Sequence, residues 1–224
     1  MPSTPQRQRL ARVITNTLNP LVLPVVLFSY AASRLEADGR TIFLVIATGI
    51  IFYSIIPLLI LLSMRRNRRI DTMEVERREL RLRPFIYGIL SMLTGATLFT
   101  LLGFKNGEAY QALGMIPIVN AMLAAFITLR WKISVHAISV TTAAVTMWYL
   151  SGPLVLSWPP ITLMSILSAF LLSATIVLVQ WSRVVLNYHT PGQVAAGCIL
   201  AAGMTVLQLY VYFPEVPLRY FVTL

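Results

Sequence analysis

Seven apolar runs follow one another along this chain with hardly a charge inside them: residues 13–33, 41–63, 84–104, 109–129, 134–152, 160–181 and 191–213. Each is close to the roughly 20 residues that a helix needs to cross a hydrocarbon core about 30 Å thick. A backbone in lipid must satisfy its own hydrogen bonds, and runs without strand alternation do so as helices. Composition agrees, with 57% of the 224 residues hydrophobic and 12% charged. The expected fold class is therefore all-α: a polytopic membrane helix bundle of about seven transmembrane helices, forming a single integral membrane domain over residues 1–224. Only a few residues around Arg130-Trp131-Lys132 separate the fourth and fifth runs, so six spans and a re-entrant piece is the alternative count.

Smaller features refine this picture. The first run is too long for a signal-peptide core and contains Pro20 and Pro24. Asn19-Pro20 reads as a kink, with a contact to a functional site as the alternative. Pro153, Trp158, Pro159 and Pro160 mark a turn with an interfacial aromatic residue. The polar loop 64–83 either continues a neighbouring helix or lies on the membrane surface. Cys198 is the single cysteine, so no intramolecular disulfide forms.

The charges predict an orientation. If the N-terminus faces the cytoplasm, that side carries Arg7, Arg9, Arg12, the loop arginines from Arg65 to Arg83, Arg130, Lys132 and Arg183. These are 14 of the 18 basic residues, against four acidic ones (Asp71, Glu74, Glu76 and Glu79). The opposite side holds four of each sign, so the whole excess of +10 lies on one side. By the positive-inside rule that side is cytoplasmic, and the expected location is the cytoplasmic membrane of a bacterium. Topology and attraction to anionic headgroups account for the basicity, which removes nucleic acid as a partner. The acidic residues of the loop alternate with arginines, a pattern of a salt-laced surface rather than a metal site.

The chemistry-bearing residues cluster at helix starts on that same side. Arg83-Pro84 opens the third run, Lys132-Ile133-Ser134-Val135-His136 the fifth, and Ser182-Arg183 followed by His189-Thr190-Pro191 leads into the seventh. His136 and His189 are the only two histidines. Helix N-termini present unpaired N–H groups and partial positive charge. Converging with arginine forks, they form a cradle for phosphate. One histidine there can attack phosphorus while another protonates the leaving oxygen.

These residues resemble the type 2 phosphatidic acid phosphatase superfamily of membrane lipid phosphatases over roughly residues 83–200. Its third motif is Ser-Arg, five residues, His, three residues, Asp; Ser182-Arg183 and His189 match it, with Gln193 in the last place. Its second motif, Pro-Ser-Gly-His, corresponds to Ile133-Ser134-Val135-His136. Its first motif, Lys, six residues, Arg-Pro, ends on Arg83-Pro84, with Glu76 at the lysine position. The resemblance implies a metal-independent phosphohydrolase, without cofactor, acting on a lipid or isoprenoid phosphate or diphosphate. It implies His189 as nucleophile through a phosphohistidine, His136 as general acid and Gln193 as the group orienting His189. Arg183, Arg83, Lys132 and Ser134 would hold the phosphate, with Lys132, Arg77, Arg78 or Arg81 replacing the missing lysine. Gln193 can accept a hydrogen bond from imidazole but cannot stabilise imidazolium as a carboxylate does. Val135 replaces a glycine that lets backbone approach phosphate. The alternative expectation is thus a catalytically inactive, diverged member that binds lipid phosphate or scaffolds a membrane protein complex.

Overall fold

The computed structural model describes residues 4–35, 37–70, 72–75, 77–103, 105–151 and 163–213. All regular structure among them is helical. In chain order the elements are α1 (Pro5–Thr17), α2 (Leu23–Arg34), α3 (Gly39–Ile50), a π turn (Ile51–Ile55) and α4 (Ile56–Arg66). There follow a 3₁₀ turn (Arg78–Leu80), α5 (Leu82–Leu101), α6 (Gly107–Thr128), α7 (Val135–Leu150), α8 (Leu163–Val185) and α9 (Pro191–Tyr212). Among the described residues, five segments are long and apolar enough to cross a membrane: Gly39–Arg66, in which α3, the π turn and α4 run on as one rod, Leu82–Leu101, Gly107–Thr128, Ile166–Val185 and Pro191–Tyr212. Val135–Leu150 is a shorter apolar helix. This is the helical bundle of an integral membrane protein. The expected turn at Pro153, Trp158, Pro159 and Pro160 lies outside the described residues, as do Asp71 and Glu76.

One expected element is corrected. The run 13–33 is not a single helix, nor merely kinked: the chain breaks between α1 and α2. Proline offers no N–H to a helix and clashes with the carbonyl four residues earlier. With Pro20 and Pro24 so close together, the intervening turn forms its own bonds. The Asn19 side chain accepts from the Leu21 N–H at 2.9 Å, and its carbonyl accepts from the Val22 and Leu23 N–H groups. The break lets α1 pack on α8 while α2 packs on α3 and α7.

The other boundaries follow local capping chemistry. Asp38 caps α3, accepting from the Thr41 N–H at 2.8 Å, and Ser134 caps α7. Thr190 caps α9 in a reciprocal box with Gln193, and Pro191 occupies the first turn, where no N–H is needed. At the end of α8, Asn187 takes a left-handed φ of 57°. That turn sends the Tyr188 N–H back to the Arg183 carbonyl at 3.1 Å and delivers His189 to the start of α9.

The main core sits toward the opposite end of the bundle. Phe28, Val45, Tyr53, Phe99, Tyr110, Leu113 and Ile116 pack there, with Phe28 meeting Tyr53 edge-on at 5.0 Å between ring centroids. Tyr53 leaves the π turn and passes between two small residues. A Cβ on Gly95 would come within 2.9 Å of its ring, and one on Gly114 within 2.5 Å of its hydroxyl. Only glycine at both positions admits the ring.

Candidate functional site

Between this aromatic core and the basic end of the bundle lies a cavity of about 470 Å³. Its walls are apolar side chains of α2, α4, α5, α6 and α7, and its basic end gathers Arg81, Glu74, His136, Arg183 and His189. Asn19 and Pro20 also line it, so the break between α1 and α2 contacts the cavity.

Arg183 is the centre of the head region and is only 1% exposed. Its side chain leaves the last turn of α8, donates to Thr15 Oγ1 on α1 at 3.0 Å and to the Glu74 carboxylate, and lies 4.4 Å from the Tyr188 ring centroid. Its Nε is buried without a hydrogen-bond partner among the described residues. Arg81 stands just before α5. It donates through Nε to the Val75 carbonyl at 2.7 Å and through Nη1 to the Ile133 carbonyl at 3.1 Å. Residues 72–75 are thereby stapled to the turn between α6 and α7, which explains how part of a loop expected on a helix or the membrane surface comes to line the cavity. Burial, and then the Arg183 charge, lower Arg81 from its ordinary value, with Glu74 opposing. Two buried guanidinium groups against one carboxylate leave the head region with an unbalanced positive charge, the condition under which an anion binds strongly.

His189 is 6% exposed, and its protonation state is set by its neighbours. Burial presses its pKa down to about 3; Arg81, Arg183 and Lys132 push the same way, and the Gln193 hydrogen bond opposes them. The ring is therefore neutral throughout the physiological range. Its Nδ1 lies 3.1 Å from Gln193 Oε1. That same oxygen accepts from the Thr190 N–H at 3.2 Å. A backbone N–H can only donate, so it fixes which end of the Gln193 amide faces the ring. Gln193 Oε1 can only accept, so Nδ1 carries the proton. The Nε2 lone pair is left free. The capping box of α9 thus sets the imidazole tautomer.

His136 lines the cavity from the first turn of α7, and its Nε2 is buried with no partner among the described residues. Ser134, by contrast, is fully buried and spends its hydroxyl on the Ala137 N–H at 3.3 Å, the cap of α7. Lys132 is half-buried outside the lining, close enough for its charge to act on His189. Arg83 is exposed and does not line the cavity. The reason is geometric: residues two apart on a helix point to nearly opposite sides. Pro84, Phe85, Gly88 and Met92 line the cavity, and Arg81 continues that stripe at helical spacing, whereas Arg83 falls on the other face.

Glu74 and Asn120 are among the lining residues that no sequence motif marks as part of the site. Glu74 was read as part of a charged loop, and nothing local distinguishes it from Glu79. Asn120 did carry a signal, being one of two amides, with Gln111, within the apolar run 109–129. It donates to Thr142 Oγ1 at 2.8 Å and Thr205 Oγ1 at 3.0 Å and accepts from Gln208 Nε2 at 3.3 Å, tying α6 to α7 and α9.

Fold and site together define an all-α membrane protein whose bundle encloses an apolar cavity headed by two arginines and two histidines. No family model, curated protein or solved structure matches the chain.

Proposed function

We propose that this protein is a membrane phosphohydrolase that removes phosphate from a lipid or isoprenoid phosphate through a phosphohistidine on His189. The observation that carries the reading is the fixed, neutral tautomer of His189 beside two buried arginines at the head of an apolar cavity. The lipid phosphate places its anionic oxygens against Arg183 and Arg81, and its tail runs down the cavity. The His189 Nε2 lone pair attacks phosphorus while Nδ1–H stays on Gln193. The P–O bond to the lipid breaks, and the leaving oxygen takes a proton from His136, whose charged form the bound phosphate dianion stabilises against the two guanidinium charges. Water, giving its proton to His136, then cleaves the P–N bond and releases phosphate. The charge bias of the loops supports a cytoplasmic position for this end of the bundle.

The test is phosphate release by the purified protein in detergent, without added metal, from phosphatidic acid and from prenyl mono- and diphosphates. Release that disappears in His189→Ala supports the reading, and absence of release from every substrate removes it.

A second reading, binding without turnover, is favoured by two features: Glu74 occupies the Arg183 fork, and Gln193 lacks a charge. Two substitutions separate the readings. Glu74→Gln frees the fork and is expected to tighten inorganic phosphate binding about tenfold, equivalent to about 1.4 kcal/mol, as measured by titration calorimetry. Weaker binding would show that Glu74 positions Arg183 rather than competing for it. Gln193→Glu keeps the reach to both Thr190 N–H and His189 Nδ1–H while adding the charge that stabilises imidazolium. It is expected to raise turnover about 10- to 100-fold, the usual weight of a group orienting a catalytic histidine. A catalytically retired site shows no release in either form.

A further inference from the structure

We propose that the cavity beneath the Arg81–Arg183 pair is a tail site for one chain of about ten carbons, making the ligand a single-chain lipid phosphate rather than a two-chain glycerophospholipid. The inference rests on the phosphate-binding reading of the head region and adds the class of molecule attached to that phosphate.

The dimensions carry it. The wall on α5 runs from Pro84 to Met92, and the facing wall runs from Leu61 on α4 back to Tyr53 in the π turn. Eight residues of rise on each side give a depth of about 12 Å. An extended hydrocarbon advances roughly 1.25 Å per carbon, the projection of a tetrahedral bond of about 1.5 Å, so that depth holds about ten carbons.

The far end meets the aromatic core. Phe28 and Tyr53 line the cavity there and belong to the packed aromatic core. Tyr53 is wedged between Gly95 and Gly114, so the floor is rigid. A volume of about 470 Å³ falls in the range that takes one small ligand. A depth of about 12 Å falls short of the roughly 15 Å that each chain of a two-chain lipid needs to reach halfway through a core of about 30 Å. The chain enters sideways from the bilayer: Leu58 of α4 both lines the cavity and is 37% exposed.

Gly88 supplies the decisive substitution. It lines the cavity on α5, and a Cβ built there meets nothing within 4 Å. The Cβ of Gly88→Leu therefore meets no protein atom, its isobutyl group takes up space in the tail site, and the change improves helix propensity while leaving the identities of Arg81, Arg183 and both histidines unchanged.

The experiment uses non-hydrolysable alkyl phosphonates of four and ten carbons with a photoreactive diazirine at the chain end, bound to the full-length protein in nanodiscs. The ten-carbon probe is expected to label Phe28 or Tyr53. Unlabelled decyl phosphonate should reduce that labelling at least tenfold, and phosphatidic acid at the same concentration should not. In Gly88→Leu the ten-carbon labelling should fall at least tenfold while the four-carbon probe still labels the Pro84–Phe85 region. Labelling only of lipid-facing residues such as Leu59 and Leu62, equal competition by phosphatidic acid, or ten-carbon labelling unchanged in Gly88→Leu would each overturn the tail site. The pattern in the unaltered protein decides by itself even if the variant fails to fold. Because the probes are not turned over, the two readings separate: labelling of Phe28 or Tyr53 without hydrolysis of decyl phosphate leaves the tail site standing and removes the phosphatase.

Discussion

His189→Ala is expected to lower phosphate release from lipid phosphates by about 10³-fold or more, the scale on which a covalent nucleophile is lost, without disturbing the fold. The two halves of that expectation have separate causes. The chemistry needs the Nε2 lone pair, and no other imidazole in the cavity has its tautomer fixed by the α9 cap. The fold does not need the ring, because the cap is closed by Thr190 Oγ1 accepting from the Gln193 N–H at 3.3 Å and by Gln193 Oε1 accepting from the Thr190 N–H. Both bonds survive when the imidazole is removed. The check is phosphate release by variant and parent side by side, with thermal unfolding in detergent as control. Unchanged release in a folded variant would sink the proposed mechanism.

Arg183→Met is expected to damage both stability and phosphate binding, and a second substitution tells the two effects apart. Removing one partner of a buried ion pair leaves the other charge uncompensated, at a cost of about 3–5 kcal/mol. The lower end, about 3 kcal/mol, applies here, because the Glu74 side chain keeps 23% exposure and can turn toward water. The bond to Thr15 is lost as well, which loosens α1 from α8. Adding Glu74→Gln removes the stranded carboxylate, so the double variant should recover most of the stability. Phosphate affinity should not recover, because the fork that binds two oxygens at once is still missing. Denaturant unfolding and phosphate titration on the three variants measure this cycle. Recovery of affinity in the double variant would mean that Arg183 serves only to neutralise Glu74.

Most of the fold was legible in the sequence because lipid leaves the backbone so few choices. Uninterrupted apolar runs become helices, and the starts of α5, α7 and α9 meet at one end because alternate spans must begin on the same side. The run 13–33 misled because apolar composition outweighed the prolines. Pro20 and Pro24 remove two N–H donors within five residues, enough to turn a kink into a break that reaches the cavity. The site was legible where spacing is local. His189 and Gln193 lie four apart across a helix start, so their contact follows from the Thr190-Pro191 cap. It was illegible where tertiary folding decides. Arg81 and Arg83 are two residues apart beside the same proline, and only the inward stripe Pro84–Gly88–Met92 separates the one facing the cavity from the one facing out. Glu74 reaches Arg183 across 109 positions because a loop folds back, held by Arg81 to the Ile133 carbonyl, and no short pattern encodes that.

The central claim is that phosphate passes through His189. The most direct measurement is rapid quenching of the protein with a ³²P-labelled prenyl phosphate during turnover, under alkaline conditions, followed by peptide mapping. The account predicts a phosphoryl group that is stable to base and lost in acid, carried by the peptide containing His189 and missing in His189→Ala. Turnover without any phosphoprotein, or with the label on another residue, would contradict it.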